Sequence, residues 1–246
     1  MKIAQYLDST YLKTPEQSGL SDKETLDIVL QLTDEAIAHS IFAVMIRPNL
    51  VATIRKYLDS KTTAVQLGTV IGFHEGTYTI EEKLSEAQQA INDGADELDF
   101  VINYTAYLNG DLDLVKKEVV QCSQLGLDHG KIVKWIIEIA ALNNQQIADI
   151  TQHIAQWVQE NFPGKEERVF VKSSTGFFKT EDGKPNGATV EGIKIMLENA
   201  GKLPVKAAGG VRSTEEAETM INLGVKRIGT SSALALIQNQ KSNSTY

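Results

Sequence analysis

Two lysines sit where an apolar run breaks into a glycine turn: Lys172 in Phe-Val-Lys-Ser-Ser-Thr-Gly-Phe and Lys206 in Pro-Val-Lys-Ala-Ala-Gly-Gly-Val-Arg. The β-branched residues before each lysine read as a strand and the small residues after it as a turn. Both amines should therefore project near strand ends, where α/β proteins place their chemistry. On neighbouring parallel strands each ammonium disfavours the charge on the other, which lowers a pKa toward neutrality. A neutral amine is a nucleophile. Against this, a lone lysine near a strand end is more often a solvated or ion-paired surface group, so the case rests on the two motifs occurring together.

The elements that must position these lysines are legible as alternating short β-branched runs and longer segments of helical period. Strands are expected at residues 42–46, 64–71, 97–102, 131–138, 168–172, 204–208 and 225–229, with a first short one ending near Asp8. Leu84, Ala87 and Ile91 share a helical face before Gly94. Ile147, Ile150, Ile154, Trp157 and Val158 form a second apolar stripe, and Val190, Ile193, Leu197 and Ala200 a third, closed by Gly201. Ser21 with Glu24 and Ser213 with Glu216 have capping-box spacing, and Pro48 stands where a first helical turn would begin. About eight strand-then-helix units of roughly thirty residues match a closed single-domain (β/α)₈ TIM barrel over residues 1–246. An open doubly wound sheet would show a glycine-rich dinucleotide turn after its first strand, and nothing near Asp8 resembles one.

Barrel geometry gathers Asp8, Asp99, Glu138, Lys172 and Lys206 at one end. Alternation along the fourth strand puts Glu97, Asp99 and Val101 on one face and Leu98 and Phe100 on the other, so Asp99 can point inward. Small-residue turns follow three late strands, at Ser173-Ser174-Thr175-Gly176, Ala207-Ala208-Gly209-Gly210 and Gly229-Thr230-Ser231-Ser232. Exposed backbone N–H groups in such turns make an anion site, and a phosphorylated ligand is implied.

Composition excludes several other classes. A formal charge of −8 would repel polyanions, so no nucleic acid and no anionic membrane is expected as partner. Cys122 is the single cysteine, which rules out an intramolecular disulfide. The N-terminal Met-Lys-Ile-Ala-Gln-Tyr-Leu-Asp lacks the apolar stretch of a signal peptide, so a cytoplasmic location is expected. His39, His74, His129 and His153 are scattered without ligand spacing, and no metal site is expected.

Together, Gly-Ala-Asp96-Glu97-Leu98-Asp99, Phe170-Val171-Lys172-Ser173-Ser174-Thr175-Gly176 and Val205-Lys206-Ala207-Ala208-Gly209-Gly210-Val211-Arg212 resemble the 2-deoxyribose-5-phosphate aldolases of the DeoC family. The resemblance runs from Tyr6-Leu7-Asp8 to Arg227-Ile228-Gly229-Thr230-Ser231-Ser232. It implies a class I aldolase that needs no metal or organic cofactor and reversibly cleaves 2-deoxy-D-ribose 5-phosphate to acetaldehyde and D-glyceraldehyde 3-phosphate, in deoxyribonucleoside catabolism. Lys172 matches the Schiff-base lysine, Lys206 the lysine that keeps it neutral, and Asp99 the carboxylate that serves proton transfer through a water. Gly176, Gly209, Gly210, Ser231 and Ser232 match positions around the phosphate. Asp8 and Glu138 are either partners that orient the amines or plain polar residues of the barrel end, and Tyr246 matches a terminal tyrosine that in some relatives reaches the site.

The chain departs from the family at Met45, where cysteine is frequent, at Phe73-His74-Glu75-Gly76, where a proline-containing turn is usual, and at Phe177, where some relatives place a phosphate-contacting lysine. The tail 240–246 reads as flexible by composition, and relatives suggest a homodimer. Two other classes fit the same residues: a pyridoxal-phosphate protein, and a sugar-phosphate-binding barrel without turnover.

Overall fold

A computed structural model describes residues 2–181 and 183–240. Eight strands close into a barrel in sequence order: β1 (Leu7–Thr10), β2 (Ala43–Ile46), β3 (Gln66–Ile71), β4 (Glu97–Val101), β5 (Ile132–Ile136), β6 (Val169–Lys172), β7 (Val205–Ala208) and β8 (Arg227–Thr230). Every neighbouring pair is parallel, and the pairing of β1 with β8 closes the ring, so the TIM barrel expected from the sequence is the fold.

The helices fill the crossovers. After β1 come α1 (Pro15–Ser18) and α2 (Asp22–His39), after β2 α3 (Val51–Asp59), after β3 α4 (Ile80–Asn92), and after β4 α5 (Tyr104–Leu108) and α6 (Leu112–Asp128). Then α7 (Asn144–Asn161), α8 (Val190–Asn199), α9 (Thr214–Leu223) and α10 (Ala233–Ile237) follow β5 to β8 in turn. Both expected capping boxes form, Ser21 with Glu24 and Ser213 with Glu216. Pro48 opens a 3₁₀ turn, Pro48–Leu50, and the α-helix proper starts at Val51.

Strand parity splits the molecule into two chemically different layers. Leu98, Phe100, Val133, Trp135 and Val171 face the helices and belong to the apolar core. There Trp135 stacks on Phe100 at 5.1 Å between ring centres and donates its indole N–H to Ser123 Oγ at 2.9 Å. Burial of each such side chain contributes roughly 1.5–3 kcal/mol. The opposite parity points into the barrel. Residues in lateral register there include Asp99 with Lys134, Lys172 with Lys206, and Lys206 with Arg227.

Two local departures from the sequence reading matter for the site. The fifth strand stops at Ile136 rather than 138, because Glu138 has left-handed backbone (φ 58°) and cannot continue a ladder. The chain still leans on β6 at this point, since Ile137 N donates to Lys172 O at 3.0 Å and Ile139 N to Ser173 O at 2.9 Å. On α4 the buried face is Lys83, Ala87 and Ala90 rather than the Leu84, Ala87, Ile91 stripe. Lys83 is fully buried, donates to Gly76 O and Val101 O at 2.7 Å each, and pairs with Glu118. Glu118 Oε2 in turn accepts from Asn103 N at 2.9 Å. One ammonium thus ties the loop after β3 to the end of β4.

Tyr246 and positions 241–246 of the tail lie outside the described residues. No helix among the described residues is long and apolar enough to cross a membrane.

Candidate active site

Lys172 is the last residue of β6, so its side chain rises from the strand end. Lys206 lies deeper, as the second residue of β7, which runs on to Ala208. Asp99, in the middle of β4, reaches both: its Oδ2 is 2.9 Å from Lys172 Nζ and 2.8 Å from Lys206 Nζ. The two lysines and the aspartate singled out in the sequence therefore share one oxygen atom. Asp8 joins them, with Oδ2 2.5 Å from Lys206 Nζ. It is not at a strand end as expected, because β1 continues to Thr10 and Asp8 is its second residue.

Burial and charge set the protonation states. Removing Lys172 from water penalises its ammonium; Asp99 opposes that penalty, while Lys206 and Lys134 add to it, and its pKa falls from 10.5 to about 8. Burial is the larger cause, and the neighbouring lysine assumed from the sequence is a secondary one. Lys172 keeps 4% exposure, whereas Lys206 and Lys134 have none, so of the three amines only Lys172 retains any exposure. Burial alone would raise the pKa of Asp99, but Lys134, Lys172 and Lys206 overcome it and hold the carboxyl well below the usual range. Asp99 can pass a proton between amines but is a poor place for one to rest.

Glu138 does not join this cluster by contact. Its Oε2 accepts from Thr175 N at 3.2 Å and from the Thr175 hydroxyl, which holds the turn after β6. Burial pushes its pKa up to about 7 against those hydrogen bonds. It also walls a cleft of about 560 Å³ together with His74, Tyr104, Phe177, Phe178 and Lys179. His74 stacks on Phe177 at 5.6 Å, and Phe73 meets Phe177 edge-on at 5.1 Å, so aromatic contacts link the loop after β3 to the loop after β6. The Phe73–His74 peptide is cis.

The glycine turns gather at the ends of β6, β7 and β8. Gly176, Gly209 and Gly210 have φ values of 81°, 81° and 79°, which a residue with a side chain adopts only under strain. At Gly209 space is limiting too, since a Cβ would lie 2.9 Å from Gly187 Cα and 3.4 Å from Gly176 Cα. The pairing of Ala208 with Gly229 brings the turn that carries Ser231 and Ser232 alongside. Ser232 N donates to Thr230 Oγ1 at 3.0 Å, which sets the start of that turn. Among the described residues no group of histidine, cysteine, aspartate and glutamate side chains is arranged to hold a metal ion.

Residues 4–238 match the model of the DeoC/LacD family aldolases. The chain belongs to that aldolase family. Over 242 residues it is 36% identical to the deoxyribose-phosphate aldolase of Thermococcus gammatolerans, covering 98% of this chain and 97% of the relative. It is 38% identical over 210 residues to deoxyribose-phosphate aldolase 1 of Vibrio vulnificus, covering 85% and 87%. Among solved structures it resembles the aldolase QR15 (TM-score 0.77, 31% identity, covering 96% of this chain and 94% of that one). It also resembles the tetrameric deoxyribose phosphate aldolase of Aeropyrum pernix (TM-score 0.77, 26% identity, covering 96% and 89%).

Three charged residues in the same cluster as Lys172 were not singled out from the sequence. Lys134, fully buried in the middle of β5, contacts Asp99 Oδ1 at 2.6 Å and Glu97 Oε2 at 2.7 Å. Burial alone would lower its pKa, but Asp99 and Glu97 hold it above the ordinary lysine value. Glu97 and Arg227 complete the set, Arg227 pairing with Glu97 and lying 3.4 Å from Asp8 Oδ1. The signal was present: a charged residue at inward parity within Ile-Val-Lys-Trp-Ile cannot be solvated in a barrel strand and must be paired.

Proposed function

We propose that this aldolase reversibly cleaves 2-deoxy-D-ribose 5-phosphate to acetaldehyde and D-glyceraldehyde 3-phosphate through a Schiff base on Lys172. The observation that carries the reading is an amine at a strand end with residual exposure, one carboxylate contact and a pKa near 8. The names of its relatives supply the substrate class.

In the cleavage direction Lys172 Nζ adds to the aldehyde carbon C1, and loss of water gives a protonated imine. Removal of the C3 hydroxyl proton lets the C2–C3 bond break, with its electron pair moving to C2 and into the iminium as an enamine. Glyceraldehyde 3-phosphate leaves, C2 of the enamine takes a proton, and water releases acetaldehyde and the free amine. Asp99, bonded through one oxygen to both Lys172 and Lys206, is suited to relay these protons, with Lys206 as the adjoining donor. Glu138, poised near neutrality and fixed to Thr175, supports the turn that carries Gly176.

The phosphate falls to Gly176, Gly209, Gly210, Ser231 and Ser232, remote from the breaking bond, where its binding energy orients the sugar. Gly209→Ala is expected to raise KM for the phosphorylated sugar by about 10-fold or more, because it both strains φ and forces Gly187 away. Steady-state assays should show a much smaller change with unphosphorylated deoxyribose.

The deciding experiment is borohydride reduction in the presence of acetaldehyde, followed by peptide mapping, with a two-carbon adduct expected on Lys172. An adduct elsewhere would overturn the reading. Because a depressed amine pKa leaves more neutral nitrogen as pH rises, trapping should accelerate about tenfold per pH unit below pH 8 and level off above it. The reading extends to deoxyribonucleoside catabolism in the cytoplasm and to a homodimer; a solution mass near the 27.0 kDa of one chain would remove the dimer.

A further inference from the structure

The charged groups inside the barrel form a closed circuit of alternating sign. Starting from Arg227, Nε lies 3.4 Å from Asp8 Oδ1, and Asp8 Oδ2 lies 2.5 Å from Lys206 Nζ. Lys206 Nζ is 2.8 Å from Asp99 Oδ2, and Asp99 Oδ1 is 2.6 Å from Lys134 Nζ. Lys134 Nζ is 2.7 Å from Glu97 Oε2, and Glu97 Oε1 returns to Arg227 Nη2. Three cations alternate with three carboxylates, and each carboxylate spends one oxygen on each neighbour. The two Asp8 oxygens meet their partners at ion-pair range without aligned hydrogen bonds. All six side chains are at least 95% buried. Lys172 is outside the circuit and touches it at a single atom, Asp99 Oδ2, which Lys206 already occupies.

We infer that Glu97 and Arg227 are positioning residues that complete a charge-neutral ring, so that a protonated Lys172 adds a cation the ring does not balance and is the group that gives up its proton. The inference rests on the Schiff-base reading of Lys172 and deepens it. If repulsion between Lys172 and Lys206 alone kept the nucleophile neutral, the far side of the ring would be irrelevant. With the whole ring in control, a charge removed from the far side must be felt at Lys172. Water cannot screen a set of buried groups, and an unbalanced interior takes up or expels the proton that restores neutrality. The groups that face Lys172 are Asp99 from β4, Lys134 from β5, Lys206 from β7 and Glu138 from the turn after β5. Of these only Glu138 lies outside the ring.

The ring makes two single substitutions act in opposite directions. Arg227→Met leaves two cations against three carboxylates, so the Lys172 ammonium becomes the balancing charge. Glu97→Gln leaves three cations against two carboxylates, so that ammonium is disfavoured further. The double variant is neutral again.

The test titrates the Lys172 ε-amine directly, by NMR of lysine ¹³Cε-labelled full-length protein, with the resonance assigned by its loss in Lys172→Met. The midpoint should rise by on the order of one pH unit in Arg227→Met, fall by a similar amount in Glu97→Gln, and return close to the wild-type value in the double variant. The acid limb of kcat/KM should move with it. Unchanged midpoints, shifts of the same sign, or a double variant that does not return would overturn the inference. Should Arg227→Met fail to fold, the near-isosteric Glu97→Gln decides alone, and a midpoint that does not fall sinks the proposal. Acetaldehyde trapping on the wild-type protein separates the two levels. An adduct on Lys172 with unmoved midpoints rejects the ring alone, whereas an adduct elsewhere rejects the Schiff-base reading whatever the titrations show.

Discussion

Lys172→Met is expected to abolish borohydride trapping and to lower kcat for deoxyribose phosphate cleavage by about 10⁴-fold or more, since no other amine in the barrel can replace the electron sink. Lys206 and Lys134 are fully buried, and each is held by two carboxylates, so neither offers a free nitrogen to a ligand. The substitution should leave the fold intact. Lys172 contributes one contact to Asp99, which keeps Lys134 and Lys206, and its loss removes a costly buried cation without orphaning a carboxylate. Thermal unfolding should therefore show an unchanged or slightly higher Tm. A trapped adduct in this variant, or appreciable turnover, would place the nucleophile elsewhere.

Lys206→Met is expected to do damage of a different kind. Asp8 would keep only Arg227, and Asp99 would keep Lys134 and the nucleophile itself. Lys172 would then be needed as a counter-ion, and its pKa should climb from about 8 toward the ordinary 10.5. At pH 7 the neutral fraction would drop by about tenfold for each pH unit of that rise. Trapping should slow by that factor and recover as pH is raised further, which a merely misfolded variant would not do. Losing one partner from a fully buried set of charges also costs about 3–5 kcal/mol, so this variant, unlike Lys172→Met, should unfold at clearly lower denaturant. A pH profile identical to wild type would argue against the assigned role of Lys206.

The barrel was legible because its strands are short β-branched runs with inward and outward parity and its helices carry capping boxes. Strand ends fell within two residues of expectation, and the fifth strand missed by that much because nothing marks Glu138 as left-handed in a run of Ile-Ile-Glu-Ile. The short helices α1 and α5 span four and five residues, too few for a helical period to appear. The lysine pair and Asp99 could be found because each lies beside a turn or at an inward position in a recognisable motif. Lys134 and Arg227 were not assigned, since a charge inside an apolar strand suggests a purpose only when its partners are known, and those lie on strands far away in sequence. Lys83 was hidden for a related reason: an apolar stripe shifted by one residue looks equally good until the helix is docked.

The seam between β1 and β8 joins the two ends of the chain, with Leu7 opposite Ile228, Asp8 opposite Gly229 and Ser9 opposite Thr230. A strand slipped by one residue at this seam would turn Arg227 or Asp8 out of the barrel and into the oily sleeve beneath the helices, while bringing Ile228 or Leu7 inward among ions. Misaligned closure is thus penalised on both faces at once, and the buried charges help to fix the register in which the sheet closes.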